Sequence, residues 1–129
     1  MPKNNKIIDN LNLLKSEIKE ACNISKRKRD SINLVAVSKT IESLYICEAA
    51  KYGQISFGEN KVQEAKKKWP QIKSLYPKTR LHMIGPLQSN KVKEALEIFD
   101  VIETVDREKI VLEMEKHIKN CKNFPDLYV

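Results

Sequence analysis

One unit recurs along this chain and limits the folds that it can adopt: a short apolar run, a turn with polar residues, and a helix-length segment. The unit occurs four times, with short strands predicted around these runs at residues 34–39, 54–58, 80–84 and 101–105. These runs are too short for helices, and the first, LVAV at residues 34–37, contains two β-branched valines. Strands that are separated by helices run parallel. The repeat therefore predicts an α/β fold.

Helices are predicted before the first strand and after each of the four strands. The opening segment has apolar residues at helical spacing, which predicts an amphipathic helix; these residues are Ile7, Leu11, Leu14 and Ile18. The later helices are predicted over residues 43–52, 61–69, 89–98 and 107–121, and a fifth strand is predicted to begin at Asp126.

The ends of these helices are predicted from residues with special backbone properties. Gly53 suits the left-handed conformation that follows a helix. Pro70 is predicted to end the third helix, because proline lacks a backbone N–H. Ser89 or Asn90 is predicted to cap the fourth helix, and Asp106 the fifth.

Two architectures fit this order of elements: an open doubly wound sheet, or part of a (β/α)₈ barrel, whose complete form needs about 250 residues. The 129 residues are predicted to form one domain, 1–129. The three glycines, at positions 53, 58 and 85, are too dispersed for a dinucleotide or P-loop motif. The pattern does not choose between the two architectures.

Charge and composition argue against several classes of function. The net charge of +7 suggests a nucleic-acid binder, but only four of the 24 basic residues are arginine and no aromatic residues interleave with the basic runs. A solvated surface is the favoured interpretation. No apolar run is long enough to span a membrane, and residues 1–6 do not resemble a secretory signal. We expect a cytoplasmic protein that binds neither nucleic acid nor membrane.

The cysteines and histidines give no sign of a disulfide framework or a metal site. The three cysteines lie far apart with no CxxC motif, and the two histidines have no second ligand at metal spacing. A catalytic triad is not predicted either. No metal ligand and no catalytic residue are assigned.

Ligands of parallel α/β folds bind at the carboxyl ends of the strands, which directs attention to Lys39. Lys39 ends the first predicted strand, where burial would favour the neutral amine that forms a Schiff base with pyridoxal phosphate. The alternative is a lysine whose amine reaches solvent along its apolar stem. From position alone the alternative is favoured.

Two further candidates follow later strands. Asn60, after Phe57, Gly58 and Glu59, could hydrogen-bond a ligand, although a strand-to-helix turn capped by Asn60 is the favoured interpretation. His82 could face inward beside a helix N-terminus, although a hydrogen-bonded core histidine is favoured on spacing alone.

These same segments resemble, in the same order, three motifs of the pyridoxal phosphate homeostasis protein family. The segments are 34–40 (LVAVSKT), 57–65 (FGENKVQEA) and 82–91 (HMIGPLQSNK), and residues 100–107 (DVIETVDR) match a fourth, weaker one. The resemblance covers essentially the whole chain. It implies the first half of a (β/α)₈ barrel like the amino-terminal domain of alanine racemase.

The resemblance also implies a cofactor and the residues that hold it. Pyridoxal phosphate would be bound as a Schiff base on Lys39, and Asn60 and His82 match family positions near the cofactor. Ser89 and Asn90 belong to a motif with no assigned contact. Family members are regarded as carriers or regulators of vitamin B6 and amino-acid pools without an established turnover.

The chain departs from the family in length, since it stops where the fifth strand begins. The family's phosphate-binding segments lie in the carboxyl-terminal half and have no counterpart here. Our leading interpretation is a truncated pyridoxal phosphate homeostasis protein. The alternatives are a remnant or split-barrel piece that binds the cofactor weakly and associates with itself or a complementary fragment, and a fragment of an alanine-racemase-like enzyme. A nucleic-acid binder comes last.

Overall fold

The computed structural model describes residues 5–129 and shows an α/β fold. The helices are α1 (Asn5–Ser25), α2 (Ser43–Tyr52), α3 (Val62–Leu75), α4 (Val92–Ile98) and α5 (Glu108–His117). The strands are β1 (Val35–Val37), β2 (Ser56–Glu59), β3 (Arg80–Met83), β4 (Val101–Ile102) and β5 (Asp126–Leu127). Residues 1–4, part of the segment judged unlike a secretory signal, lie outside the described residues. Within residues 5–129, no helix is long and apolar enough to cross a membrane.

The strands form one parallel sheet in the order β1-β2-β3-β4-β5. Each helix packs against the next one along the chain, from α1 to α5. A doubly wound sheet would reverse its strand order at a switch point and place helices on both faces. Sequential order with neighbouring helices in contact is instead the winding of a (β/α)₈ barrel. Of the two predicted architectures, the structure therefore has that of the barrel, and this chain supplies about half of it.

The two faces of the sheet have different environments because successive side chains of a strand point to opposite faces. Phe57, Leu81 and Ile102 face the helices and belong to the apolar core. The opposite face, which would line the interior of a barrel, is called the open face below. A Cβ atom at Gly58 would point to Val35 and Ile84 on that face.

Helix α3 fixes much of the core against β2. Its buried residues recur at helical spacing: Val62, Ala65, Trp69 and Ile72. The Trp69 ring is 1% exposed and packs against the Phe57 ring with 5.3 Å between centroids. Burial of this apolar stripe holds the helix on the sheet.

The prediction that Pro70 ends the third helix is wrong, because α3 continues through Pro70 to Leu75. Proline removes the hydrogen bond that residue 70 would donate to the carbonyl of Lys66. Pro70 is exposed, whereas Trp69 and Ile72 on either side of it are buried. Burial of these two side chains therefore outweighs one lost hydrogen bond on the solvent side.

Two of the predicted helix caps are also wrong. Ser89 and Asn90 lie in a 3-10 turn, where the Lys91 N–H donates to the Gln88 carbonyl, and α4 begins only after Lys91. No side chain caps α4 or α5. Asp106 instead accepts a hydrogen bond from the Arg107 guanidinium at 2.7 Å.

Other boundaries agree more closely with the predictions. Gly53 follows α2 in the left-handed conformation, with φ 116°, as predicted. The predicted strand at Asp126 is present as β5. The last helix is shorter than predicted, since α5 ends at His117 and a 3-10 turn continues to Asn120.

Candidate functional site

The predicted site residues lie at the carboxyl ends of β1, β2 and β3, which are adjacent in the sheet. Val37 pairs with Gly58, which pairs with His82. Lys39 lies two residues beyond Val37, and Asn60 two residues beyond Gly58, so both lie in the segments that leave the carboxyl ends of β1 and β2. The three residues predicted from the sequence therefore lie at or just beyond the carboxyl ends of three adjacent strands.

Lys39 is exposed and uncommitted. Val37, before it on the same face, is 53% exposed, and β1 lies at an edge of the described sheet. Within residues 5–129, the Lys39 amine has no hydrogen-bond or ion-pair partner. The burial expected of a lysine that ends a buried strand is not found here. The alternative interpretation, an amine that reaches solvent, describes its position in this structure.

The backbone around Lys39 forms a tight turn over residues 38–41. The Ser38 N–H donates to the Gly58 carbonyl at 2.9 Å, which extends the ladder with β2. The Ile41 N–H donates to the Ser38 carbonyl at 3.1 Å and closes the turn. Thr40 has φ 63°, in the left-handed region that β-branched residues rarely enter. Lys39 thus precedes a strained residue.

An ionic cluster of Glu59, Glu64 and Lys68, called the Lys68 cluster below, lies against this turn. The Lys68 ammonium contacts Glu64 Oε2 at 2.7 Å and Glu59 Oε2 at 3.1 Å. It also donates to the carbonyls of Ser38 at 2.9 Å and Ile41 at 3.1 Å. The cluster connects α3 and β2 to the turn that carries Lys39.

Glu59 is the buried member of the cluster, with 0% exposure. Its Oε2 atom accepts hydrogen bonds from the Ser38 hydroxyl and, at 3.3 Å, from Trp69 Nε1. Its Oε1 atom is buried without a hydrogen-bond partner among the described residues. A buried carboxylate needs a counter-charge, which Lys68 supplies.

Glu64 accepts hydrogen bonds from both the helix and the turn. Its Oε2 atom receives the Thr40 N–H and the Lys68 ammonium, each at 2.7 Å. Partial burial acts to raise the pKa of Glu64, but the hydrogen bonds from Lys68 and Thr40 and the positive charge of Lys68 and Lys61 outweigh it. The net result is a pKa below the ordinary value, which keeps Glu64 ionised.

His82 is buried, 3% exposed, and pairs with a carboxylate. His82 Nδ1 and Glu103 Oε1 are 2.7 Å apart, while His82 Nε2 is buried without a partner among residues 5–129. His82 is therefore a core histidine, as predicted, but only one of its two ring nitrogens has a hydrogen-bond partner among residues 5–129. Glu103 is partly exposed on the open face. His82 thus orients Glu103 rather than reaching the surface itself.

Asn60 lies at a close approach of two loops. A Cβ atom at Gly85 would be 2.6 Å from Asn60 Cβ and 2.9 Å from its carbonyl oxygen. Thr104 Oγ1 donates to the Gly85 carbonyl at 2.7 Å and holds this loop in place. Asn60 caps no helix, because α3 begins after Lys61 without a side-chain cap. The turn-capping interpretation of Asn60 is therefore wrong.

Two cavities flank these residues. One, of about 350 Å³, lies between the loops after β2 and β3, and its polar lining includes Asn60, Lys61, Gln63, Gln88 and Lys91. The other, of about 390 Å³, is an apolar groove between α1, β1 and α2. Within residues 5–129, no group of three or more His, Cys, Asp or Glu side chains could hold a metal ion.

Sequence reasoning missed Glu103 and the Lys68 cluster for different reasons. Glu103 lies within the fourth predicted strand, residues 101–105, and its alternation with Val101 could have placed it on the open face. Glu59 directly precedes the candidate Asn60 but carries no site prediction of its own. Its pairing with Lys68 joins a strand to a helix, and no helical or strand spacing signals such a pair.

Comparison with known proteins extends these observations. No family model matches the chain. Proteins named pyridoxal phosphate homeostasis protein do match it: that of Vibrio cholerae is 41% identical over 125 residues, which cover 95% of this chain and 52% of the relative. That of Haemophilus influenzae is 44% identical over 101 residues, 78% of this chain and 43% of the relative. The chain belongs to the pyridoxal phosphate homeostasis protein family. It spans about half the length of these curated relatives.

Solved structures agree with this assignment to the pyridoxal phosphate homeostasis protein family. PipY of Synechococcus elongatus PCC7942, solved with PLP bound, is 34% identical with a TM-score of 0.72, covering 85% of this chain and 51% of PipY. A protein from Bifidobacterium adolescentis is 26% identical with a TM-score of 0.84, covering 90% of this chain and 51% of that protein. The half-barrel therefore corresponds to half of each complete fold.

Proposed function

We propose that this chain binds pyridoxal 5'-phosphate and that Lys39 holds it as a Schiff base. The observation that carries the proposal is the position of Lys39: an exposed, uncommitted amine at the carboxyl end of a barrel strand. A free primary amine is the group that condenses with an aldehyde, forming a C=N bond with loss of water. The PLP-bound state of the structural relative PipY supports the same ligand.

The neighbouring side chains fit a polar ligand on the open face. Asn60, in the loop that follows β2, offers an amide donor and acceptor. Glu103 offers a carboxylate whose orientation is fixed by His82 at 2.7 Å. When bound, pyridoxal phosphate supplies an electrophilic aldehyde and an electron-withdrawing ring. In this proposal Lys39 forms the covalent bond, and Asn60 and Glu103 orient the ring.

We further propose that the function is cofactor and amino-acid homeostasis rather than turnover of a substrate. The matched relatives carry the name of a homeostasis protein and not that of an enzyme. The chain would then act as a carrier or regulator of pyridoxal phosphate. A cytoplasmic location and the absence of nucleic-acid binding stay predictions from the sequence.

The sheet edges favour a second candidate, in which the chain works as one piece of an assembled barrel. In the described part of the chain, β1 and β5 each pair with one strand only, and Val37 on the open face is 53% exposed. Unpaired edges of this kind are templates for strand addition. A second copy or a complementary fragment would then complete the binding site and hold the cofactor's phosphate.

Reductive trapping tests the first proposal. The purified chain is incubated with pyridoxal phosphate, reduced with borohydride and analysed by peptide mass spectrometry, with Lys39→Ala as the control. Selective labelling of Lys39 is the expected result. Because the chain has twenty lysines, scattered labelling that is unchanged in Lys39→Ala would contradict the proposal. Sedimentation of the same samples distinguishes the second candidate, which requires labelling to rise with self-association or with an added fragment.

A further inference from the structure

The strained turn after Lys39 needs an external restraint. Thr40 occupies the third position of the turn over residues 38–41 with φ 63°, where glycine or asparagine is the usual residue. A β-branched residue in this conformation persists only when the surrounding structure holds it there. The local sequence therefore does not explain the turn.

The Lys68 side chain supplies that restraint from α3. An ammonium group has three N–H donors. Lys68 directs them to the carbonyls of Ser38 and Ile41, which flank the turn, and to Glu64 Oε2. Its side chain is 13% exposed. All its donors are committed, whereas the Lys39 amine is free.

The two carboxylates complete the restraint. Glu64 accepts the Thr40 N–H at 2.7 Å, so the strained residue itself is held by α3. Glu59 accepts the Ser38 hydroxyl at the start of the turn and balances the charge of Lys68. The Lys68 cluster thus fixes the turn on both sides of Lys39.

Attachment of α3 to the sheet does not account for this cluster. The Trp69 and Phe57 rings and the buried stripe of α3 already hold the helix on β2. The polar contacts of Lys68 are directed instead at the backbone of the Lys39 turn. What the cluster adds is therefore a fixed backbone at Lys39.

We propose that Lys68 is a positioning residue that holds the Lys39 turn in its strained conformation and so presents the Lys39 amine to the cofactor. The inference rests on the proposed function of Lys39. It assigns to Lys68 no contact with the cofactor. Its consequence is that the rate at which pyridoxal phosphate labels Lys39 depends on a second lysine in another element.

The first test compares labelling rates in variants of the full chain. Lys68→Met alone would leave Glu59 without a counter-charge, so it is combined with Glu59→Gln. We expect borohydride-trapped pyridoxal phosphate at Lys39 to accumulate at least tenfold more slowly in this double variant. Lys68→Arg, which keeps the charge and the donors, is expected to recover most of the rate. Lys67→Met, an exposed neighbour on the same helix, is the matched control and is expected to label at the unmodified rate.

Amide hydrogen exchange followed by NMR provides a readout that does not need the cofactor. In the double variant and in Glu64→Ala, exchange at Thr40 and Ile41 is expected to rise at least tenfold, while amides within β2 and β3 keep their protection. Circular dichroism establishes that each variant is folded. Uniformly faster exchange would indicate global destabilisation and would overturn a specific role for Lys68.

The outcomes separate this inference from the proposed function. If the unmodified chain labels Lys39 selectively and the folded double variant labels it equally fast, the positioning role is wrong and the proposed function stands. If the unmodified chain shows no selective labelling, the proposed function fails. The exchange rates in the double variant then decide whether Lys68 holds the turn. Unchanged protection of the Thr40 and Ile41 amides in that variant would refute this role of Lys68 as well.

Discussion

Replacement of Gly85 by alanine is expected to disturb the candidate site through backbone contact alone. A Cβ atom at this position would be 2.6 Å from Asn60 Cβ, 2.9 Å from the Asn60 carbonyl oxygen and 3.0 Å from Asn60 Cα. Ordinary contact begins at 3.4 Å, so the loop that carries Asn60 would have to move by nearly an ångström. Two of the three contacts are with backbone atoms, which cannot rotate away.

The expected cost of Gly85→Ala follows from this lack of freedom. Overpacking in a well-packed region costs about 1–3 kcal/mol, and an immovable backbone neighbour places Gly85→Ala at about 3 kcal/mol. If the free energy of unfolding falls by about 2 kcal/mol per molar urea, the urea concentration at the midpoint of unfolding should fall by roughly 1.5 M. Urea titration followed by the fluorescence of Trp69, the single tryptophan, measures this shift.

Gly58→Ala is the matched control on the neighbouring strand. Its new Cβ atom would be 2.9 Å from Ile84 Cδ1 and 3.3 Å from Val35 Cγ1, which are ends of side chains on the open face. Because these side chains can shift, we expect a cost of about 1 kcal/mol. Equal midpoints for the two variants, or a neutral Gly85→Ala, would refute the reasoning.

Three further predictions follow from the packing of α3. Pro70→Ala should raise the free energy of unfolding by about 1–3 kcal/mol, measured by urea titration, because it restores an N–H donor to the Lys66 carbonyl inside a helix. Trp69→Phe should lower it by about 2 kcal/mol in a denaturation followed by circular dichroism, because the Nε1 donor to the buried Glu59 carboxylate is lost. The folded pKa of Glu64 is below its ordinary value of 4.5, so the unfolded chain binds this proton more readily and stability should fall as the pH drops through 4.5 toward the lower folded pKa. Glu64→Gln should make that fall shallower when urea midpoints are compared from neutral pH to about pH 3, and an identical slope would contradict the assignment.

The order of strands and helices could be predicted because it depends on local patterns. Short apolar runs gave the positions of the parallel strands, and Gly53 marked a helix end through its own backbone preference. Pro70 misled for the same reason: its local preference is real, but the buried Trp69 and Ile72 around it stabilise a helix that continues. Local signals fail where tertiary burial opposes them.

The candidate site could be predicted only as far as strand ends are visible in the sequence. Lys39, Asn60 and His82 were recognisable because each lies at or near the end of an apolar run and within a motif of the resemblance. The partners that support them were not recognisable. Glu103 reaches His82 from 21 residues away, and Lys68 reaches Ser38 from 30 residues away, through contacts that exist only after the barrel winds.

The contrast between Lys39 and Lys68 shows what composition could not distinguish among twenty lysines. A Schiff-base lysine needs an amine that is free to react and a backbone that does not move while it reacts. Lys39 has the free amine, and it lies in a turn that its own residues would not maintain. Lys68 has no free donor, because its ammonium is used to maintain that turn. In the proposed function the two requirements are divided between two lysines on different elements, and loss of either one should reduce labelling of the same atom, Lys39 Nζ.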